Sequence, residues 1–93
     1  MVTKATTHVR PDRALHPGKM LGWELRARHI TRAAFAAAIG LQRTSLTDII
    51  LGSAPITSGV AAGLERELET PAYLWLNLQV SYDEDLRRLN PKQ

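Results

Sequence analysis

Seven side chains between positions 32 and 48 carry chemistry suited to reading a nucleic-acid duplex: Arg32, Gln42, Arg43, Thr44, Ser45, Thr47 and Asp48. An arginine presents a planar fork of donors that matches the O6 and N7 acceptors of guanine, so Arg43 is the candidate base reader. Thr44 can meet a base through its hydroxyl or a thymine through its methyl. Gln42, Ser45 and Thr47 complete a small, polar face. Arg32 is placed a helix earlier, where a guanidinium can hold a backbone phosphate and set the register. Asp48 has three readings at this level: acceptance from cytosine N4, repulsion by phosphate, or an internal bond with Arg43 or Arg32.

Such side chains read DNA only when a rigid rod presents them. The stretch from Thr31 to Gly52, TRAAFAAAIGLQRTSLTDIILG, has two short helical patterns hinged at Gly40-Leu41. Apolar positions fall at Phe35, Ala36 and Ile39 in the first, and at Leu46, Ile49 and Ile50 in the second. A helix, a tight turn and a second helix with a polar outer face fit the major groove. Ala36 is small enough to let the two helices approach, and Phe35, Ile39, Leu46 and Ile49 are expected to hold their crossing angle.

Three further helices are expected around this pair. His16-Pro17-Gly18 opens the first, with proline at the first helical position. Met20, Leu21 and Leu25 recur there at helical spacing, and the helix runs to about Arg28. Thr31 caps the second helix and Gly40 ends it. The third runs from about Arg43 to Leu51 and stops at Gly52. Thr57 caps a fourth helix with Val60, Ala61, Leu64 and Leu68 inward, and Gly59 and Gly63 there suggest close packing. Thr70-Pro71 opens a fifth, carrying Leu74, Trp75, Leu78 and Tyr82. No strand pattern interrupts them, so the expected fold is all-α, a compact five-helix domain containing a helix-turn-helix. Its limits are 16–89, with a flexible basic arm at 1–15 that includes Lys4, Arg10 and Arg13, and a tail at 90–93. The fifth helix is apolar on more than one side. Tyr73, Trp75, Leu76, Val80 and Tyr82 are therefore assigned to a dimer or partner surface, a tightly wrapped terminal helix being the alternative.

Composition narrows the function classes. Ninety-three residues fit one domain with one modest core, and a 44% apolar fraction with 23% charged residues suits a globular chain. The absence of cysteine excludes a disulfide scaffold and thiolate zinc sites. Neither a signal peptide nor a membrane span is read in the sequence. Residues 1–47 hold eight basic residues against two acids, a net +6, and residues 48–93 hold four against seven, a net −3. A basic half beside the helix pair suits a polyanion, and an acidic half suits a different partner. His8, His16 and His29 match no zinc spacing. His16 is expected to make a local turn or packing contact, and His29 to sit against a helix dipole. Glu65, Glu67, Glu69, Asp83, Glu84 and Asp85 read as solvated helix ends. Without a phosphate loop or a nucleophile–base spacing, no catalytic, metal, cofactor or small-molecule site is expected.

The helix-turn-helix resembles that of the phage-repressor and Cro-like (XRE) superfamily. His16 to Asp83 is more specifically similar to HigA-type antitoxins of bacterial toxin–antitoxin modules. HPGKML opens the first helix, PIT precedes the fourth, and WLNLQ with Tyr82-Asp83 marks the last. The resemblance implies a lambda-repressor-like fold and a cytoplasmic, dimeric antitoxin. Such a protein neutralises a small, ribosome-dependent, mRNA-cleaving HigB-type toxin and binds double-stranded operator DNA over its own promoter. By position, the family's DNA contacts fall on Arg32, Arg43, Thr44, Thr47 and Asp48. This chain departs from the family in two places, with Arg32 where glutamine is usual and Gln42 where serine caps the reading helix. Two other functions fit the same residues: a stand-alone phage- or plasmid-type repressor, and an interaction module whose helix-turn-helix no longer reads DNA.

Overall fold

Helix ends decide where this chain turns, and most of them close on residues that satisfy the orphaned backbone groups locally. The computed structural model describes residues 14–89, so the arm through position 13 and the tail at 90–93 lie outside the described residues. Five helices follow in order: α1 (Pro17–Ala27), α2 (Arg32–Ile39), α3 (Arg43–Ile50), α4 (Ser58–Leu68) and α5 (Ala72–Leu89). The expected all-α, helix-turn-helix architecture is the one observed.

Thr31 Oγ1 accepts from the Ala34 N–H at 3.1 Å, and Thr57 Oγ1 accepts from the Val60 N–H at 3.3 Å, as caps do. Gly40, at φ 75°, ends α2 in the left-handed conformation that glycine adopts without steric cost. The next N–H, of Leu41, returns to the Ala36 carbonyl at 2.8 Å, which closes the turn of the motif. His29 performs the same task for α1 at φ 60°, with the Ile30 N–H on the Leu25 carbonyl at 2.9 Å. It terminates the helix through its backbone, a role the sequence reading did not assign.

The start of α5 differs from expectation. The Thr70 hydroxyl donates back to the Leu68 carbonyl at 3.5 Å instead of capping forward. The acceptor for the Ala72 N–H is Glu65 Oε1, at 3.1 Å, from the preceding helix. A cap seven residues upstream leaves no local signature.

The core is one cluster built from all five helices and the α3–α4 loop, with Leu21, Phe35, Leu46, Ile56, Leu64 and Trp75 among its members. α1 and α2 both pack on α3, while α4 packs on α5 and α2. Two glycines permit this closeness. A Cβ on Gly18 would collide with the Ile49 carbonyl of α3, and one on Gly63 would lie 3.0 Å from Ile39 Cβ. Gly59, by contrast, faces open space, so close packing does not explain it. Met20 and Leu74, apolar positions at helical spacing, are partly exposed, because α1 and α5 are rotated to bury Leu21, Leu25 and Trp75 instead. The loop before α4 is tied to α5 by the Ile56 N–H, which donates to the buried Gln79 Oε1 at 2.8 Å. Among the described residues no helix is long and apolar enough to cross a membrane.

His16 joins three elements. Its Nδ1 accepts from the Gly18 N–H at 2.9 Å, capping α1, and its ring meets the Tyr82 ring edge-on with centroids 4.7 Å apart. Burial pushes the imidazole pKa below its ordinary value, outweighing the opposing pull of the Asp83 charge and a hydrogen bond with the Ala54 backbone. The folded state thus binds the proton less tightly than the unfolded chain. Its stabilising contribution is complete above about pH 6.5, the unfolded value, and is lost as pH falls through the lowered folded value. Denaturant titrations at about pH 7.5 and pH 5 should show this loss in the native chain. Asparagine caps without titrating, so His16→Asn should reduce the pH dependence. An equal fall in both proteins would remove His16 as the source.

Candidate nucleic-acid interface

Helix α3 is held from one side. Leu46 and Ile49 are buried against α1 and α2, and this leaves the opposite side of the rod outward. Gln42, Arg43, Thr44 and Asp48 are exposed, while Ser45 and Thr47 on the flanks are half-buried. Arg32, the first residue of α2, is exposed as well. The structure therefore keeps all seven sequence-predicted residues accessible on the helix pair.

Gln42 stands at the N-cap of α3 without making a side-chain capping bond. Gln42→Ser should supply that acceptor and raise folding stability by about 0.5–1 kcal/mol, measurable by urea unfolding. A change within error would mean that this helix start is already satisfied.

The Asp48 carbonyl accepts from the Ser53 N–H at 2.8 Å and the Ala54 N–H at 3.2 Å, which closes the turn through Gly52 that follows α3. Its carboxylate makes no ion pair with Arg32 or Arg43, so the internal-bond reading of Asp48 is not realised. Leu51, two-thirds exposed at 68%, continues the outer face of α3 and was missed as a surface residue. Its i+4 spacing from Thr47 and i+3 spacing from Asp48 was the available signal.

On α5 the predicted interface divides. Tyr73 and Val80 are exposed, at 68% and 53%, and Leu74 beside them is partly so. Trp75 is a correction: at 1% exposure it is part of the core and cannot meet a partner. Leu76 is half-buried against the same core, and Tyr82 spends a ring edge on His16. The acidic end is also less solvated than expected. Asp85 is buried and lies 3.6 Å from Arg88, and Asp83 accepts from Gln79 Nε2 at 3.2 Å. Among the described residues no group of histidine, aspartate and glutamate is placed to hold a metal ion.

The same arrangement occurs in solved proteins. The Pseudomonas aeruginosa antitoxin HigA, solved with the higBA promoter, superposes with a TM-score of 0.78 at 34% identity, covering 87% of this chain and 90% of that one. The chain belongs to the HigA family of antitoxins. An addiction-module antidote protein of the HigA family from Coxiella burnetii gives a TM-score of 0.76 at 30% identity, covering 81% of this chain and 83% of that chain. Virulence-associated protein I of Dichelobacter nodosus is 32% identical over 71 residues, 75% of this chain, and the chain spans 66% of that relative's length. No family model matches the chain. The HigA resemblance read from HPGKML, the helix-turn-helix and WLNLQ is thus borne out, and the helix pair of this chain falls within the shared fold.

Proposed function

We propose that this HigA-family chain is an antitoxin that represses its own operon as a homodimer, reading operator DNA with α3 and neutralising a HigB-type mRNA-cleaving toxin. The observation carrying the DNA half is the outer face of α3. Arg43, Thr44 and Asp48 stand clear of every described ion pair, on a rod whose other side is buried. Exposed, unengaged polar groups on a rigid helix suit base edges. The Pseudomonas aeruginosa HigA solved with its promoter supports the same use of the fold.

In this reading Arg43 contacts a guanine, Thr44, Thr47 and Ser45 line the groove, and Gln42 and Asp48 add contacts at either end. Arg32 holds a phosphate. Two copies joined through the exposed Tyr73, Leu74 and Val80 stripe of α5 place their reading helices about 34 Å apart on a palindrome. The domain spans 16–89, with residues 1–15 as a basic arm and 90–93 as a tail. The setting is the cytoplasm.

The test is binding of the purified protein to labelled DNA from its own upstream region, against a shuffled duplex, at about 150 mM salt. A preference of about tenfold or more supports operator reading. Equal, weak binding to both sinks it and points to a protein-interaction module. Co-expression with the protein encoded beside its gene separates an antitoxin from a stand-alone repressor, since only an antitoxin forms a stoichiometric complex and relieves growth arrest.

A further inference from the structure

Beside the reading helix runs a groove of about 310 Å³, formed where α1, the end of α3 and the start of α2 meet. Lys19, Arg26 and Arg32 stand along it, Trp23 forms a wall, and Ile30 and Ile50 supply apolar surface. No carboxylate lines it. Lys19, Trp23 and Arg26 follow one another at i, i+4 and i+7, a single stripe of α1. All three are exposed, Trp23 at 58%.

Three arginines elsewhere in the fold are already paired. Arg28 pairs with Glu24, Arg66 with Glu67 and Arg88 with Asp85. Lys19, Arg26 and Arg32 form no ion pair with any described residue. Like charges gathered without counter-charges raise the local potential and favour an anionic occupant. Two turns of α1 separate Lys19 from Arg26 by about 10 Å, a span that covers two or three successive phosphates of one strand. Position decides between DNA and an acidic peptide. Ile50 lines the groove and shares a flank of α3 with Arg43, seven residues earlier, so the groove opens onto the face that reads bases.

We propose that this groove is a second DNA contact, a backbone clamp in which Lys19 and Arg26 hold phosphates of the strand flanking the reading helix, with Trp23 packed against the sugar edge. The inference rests on the operator-binding reading and extends Arg32 from one phosphate contact to a row. The clamp has no base-edge contact, so it adds affinity to any sequence and fixes the orientation in which α3 enters the groove.

The experiment compares the wild-type chain with Lys19→Ala/Arg26→Ala on native upstream DNA and on the shuffled duplex, across about 50–300 mM salt. The double variant should bind both duplexes about tenfold more weakly, and the slope of log affinity against log salt should fall by about 1.8, with the native-to-shuffled ratio unchanged. Both side chains are exposed, so the thermal midpoint should match wild type, and Lys19→Gln/Arg26→Gln should give the same binding result. An unchanged slope overturns the clamp and assigns the basic groove to an acidic protein partner. Wild-type protein without preference for native DNA overturns the operator reading instead, and the slope on the shuffled duplex still decides the clamp.

Discussion

Arg43→Ala is expected to lower affinity for the native upstream fragment by about 5- to 150-fold, the equivalent of 1–3 kcal/mol, while binding to a shuffled duplex changes far less. The physical reason is geometric. The side chain sits in the first turn of α3, is exposed, and makes no ion pair with described residues, so its donors are free for a base edge. A bidentate bond to guanine discriminates by sequence, whereas a phosphate contact does not. If both duplexes weaken equally and the salt slope falls by about one, Arg43 is a phosphate ligand and the base reader lies elsewhere on the helix. Folding stability should stay within about 0.5 kcal/mol, because no packing is removed. A change below twofold on native DNA would remove Arg43 from the interface altogether.

The second large effect is on folding. Trp75→Ala should cost about 3–5 kcal/mol, because the indole is almost fully enclosed where α5 meets the core. For a chain of this size that corresponds to a fall in midpoint of well over 10 °C. Trp75→Phe should cost much less. It keeps most of the ring volume and deletes an indole N–H that is buried with no hydrogen-bond partner among the described residues. Tyr73→Ala, two residues away and exposed, should leave the fold within about 0.5 kcal/mol. Thermal unfolding over a range of protein concentrations checks the assignment. A Trp75→Ala loss that disappears at high concentration would place the residue in an interface and overturn its role in the core.

These two residues also mark what helical spacing reveals and what it does not. The outward placement of Arg43 was legible because its neighbours are. Leu46 and Ile49 set the buried side of α3 by their spacing, and everything a half-turn away then points outward. Thr31, Gly40, Gly52 and Thr57 marked helix ends because capping is a local matter of one residue and the next few. Trp75 was misplaced because α5 has apolar residues on several sides. Periodicity alone does not say which of Tyr73, Leu74, Trp75 and Leu76 the core selects. The Glu65 acceptor at the start of α5, and the Arg66 guanidinium on the Ala38 carbonyl at 3.1 Å, link residues that no short window connects.

By itself the sequence determined the all-α class, the helix-turn-helix, the family and the polar outer face of α3. The class, the motif and the polar face depend on periods and caps a few residues long, and the family on the resemblance carried by HPGKML, the helix-turn-helix and WLNLQ. Only the tertiary structure decided the rest. It turned Trp75 into the core, left Tyr73 and Val80 outside, and brought Lys19 and Arg26 of α1 beside Arg32 of α2. A helix's rotation about its own axis follows from the apolar area that all its neighbours bury together, and no single segment carries that sum.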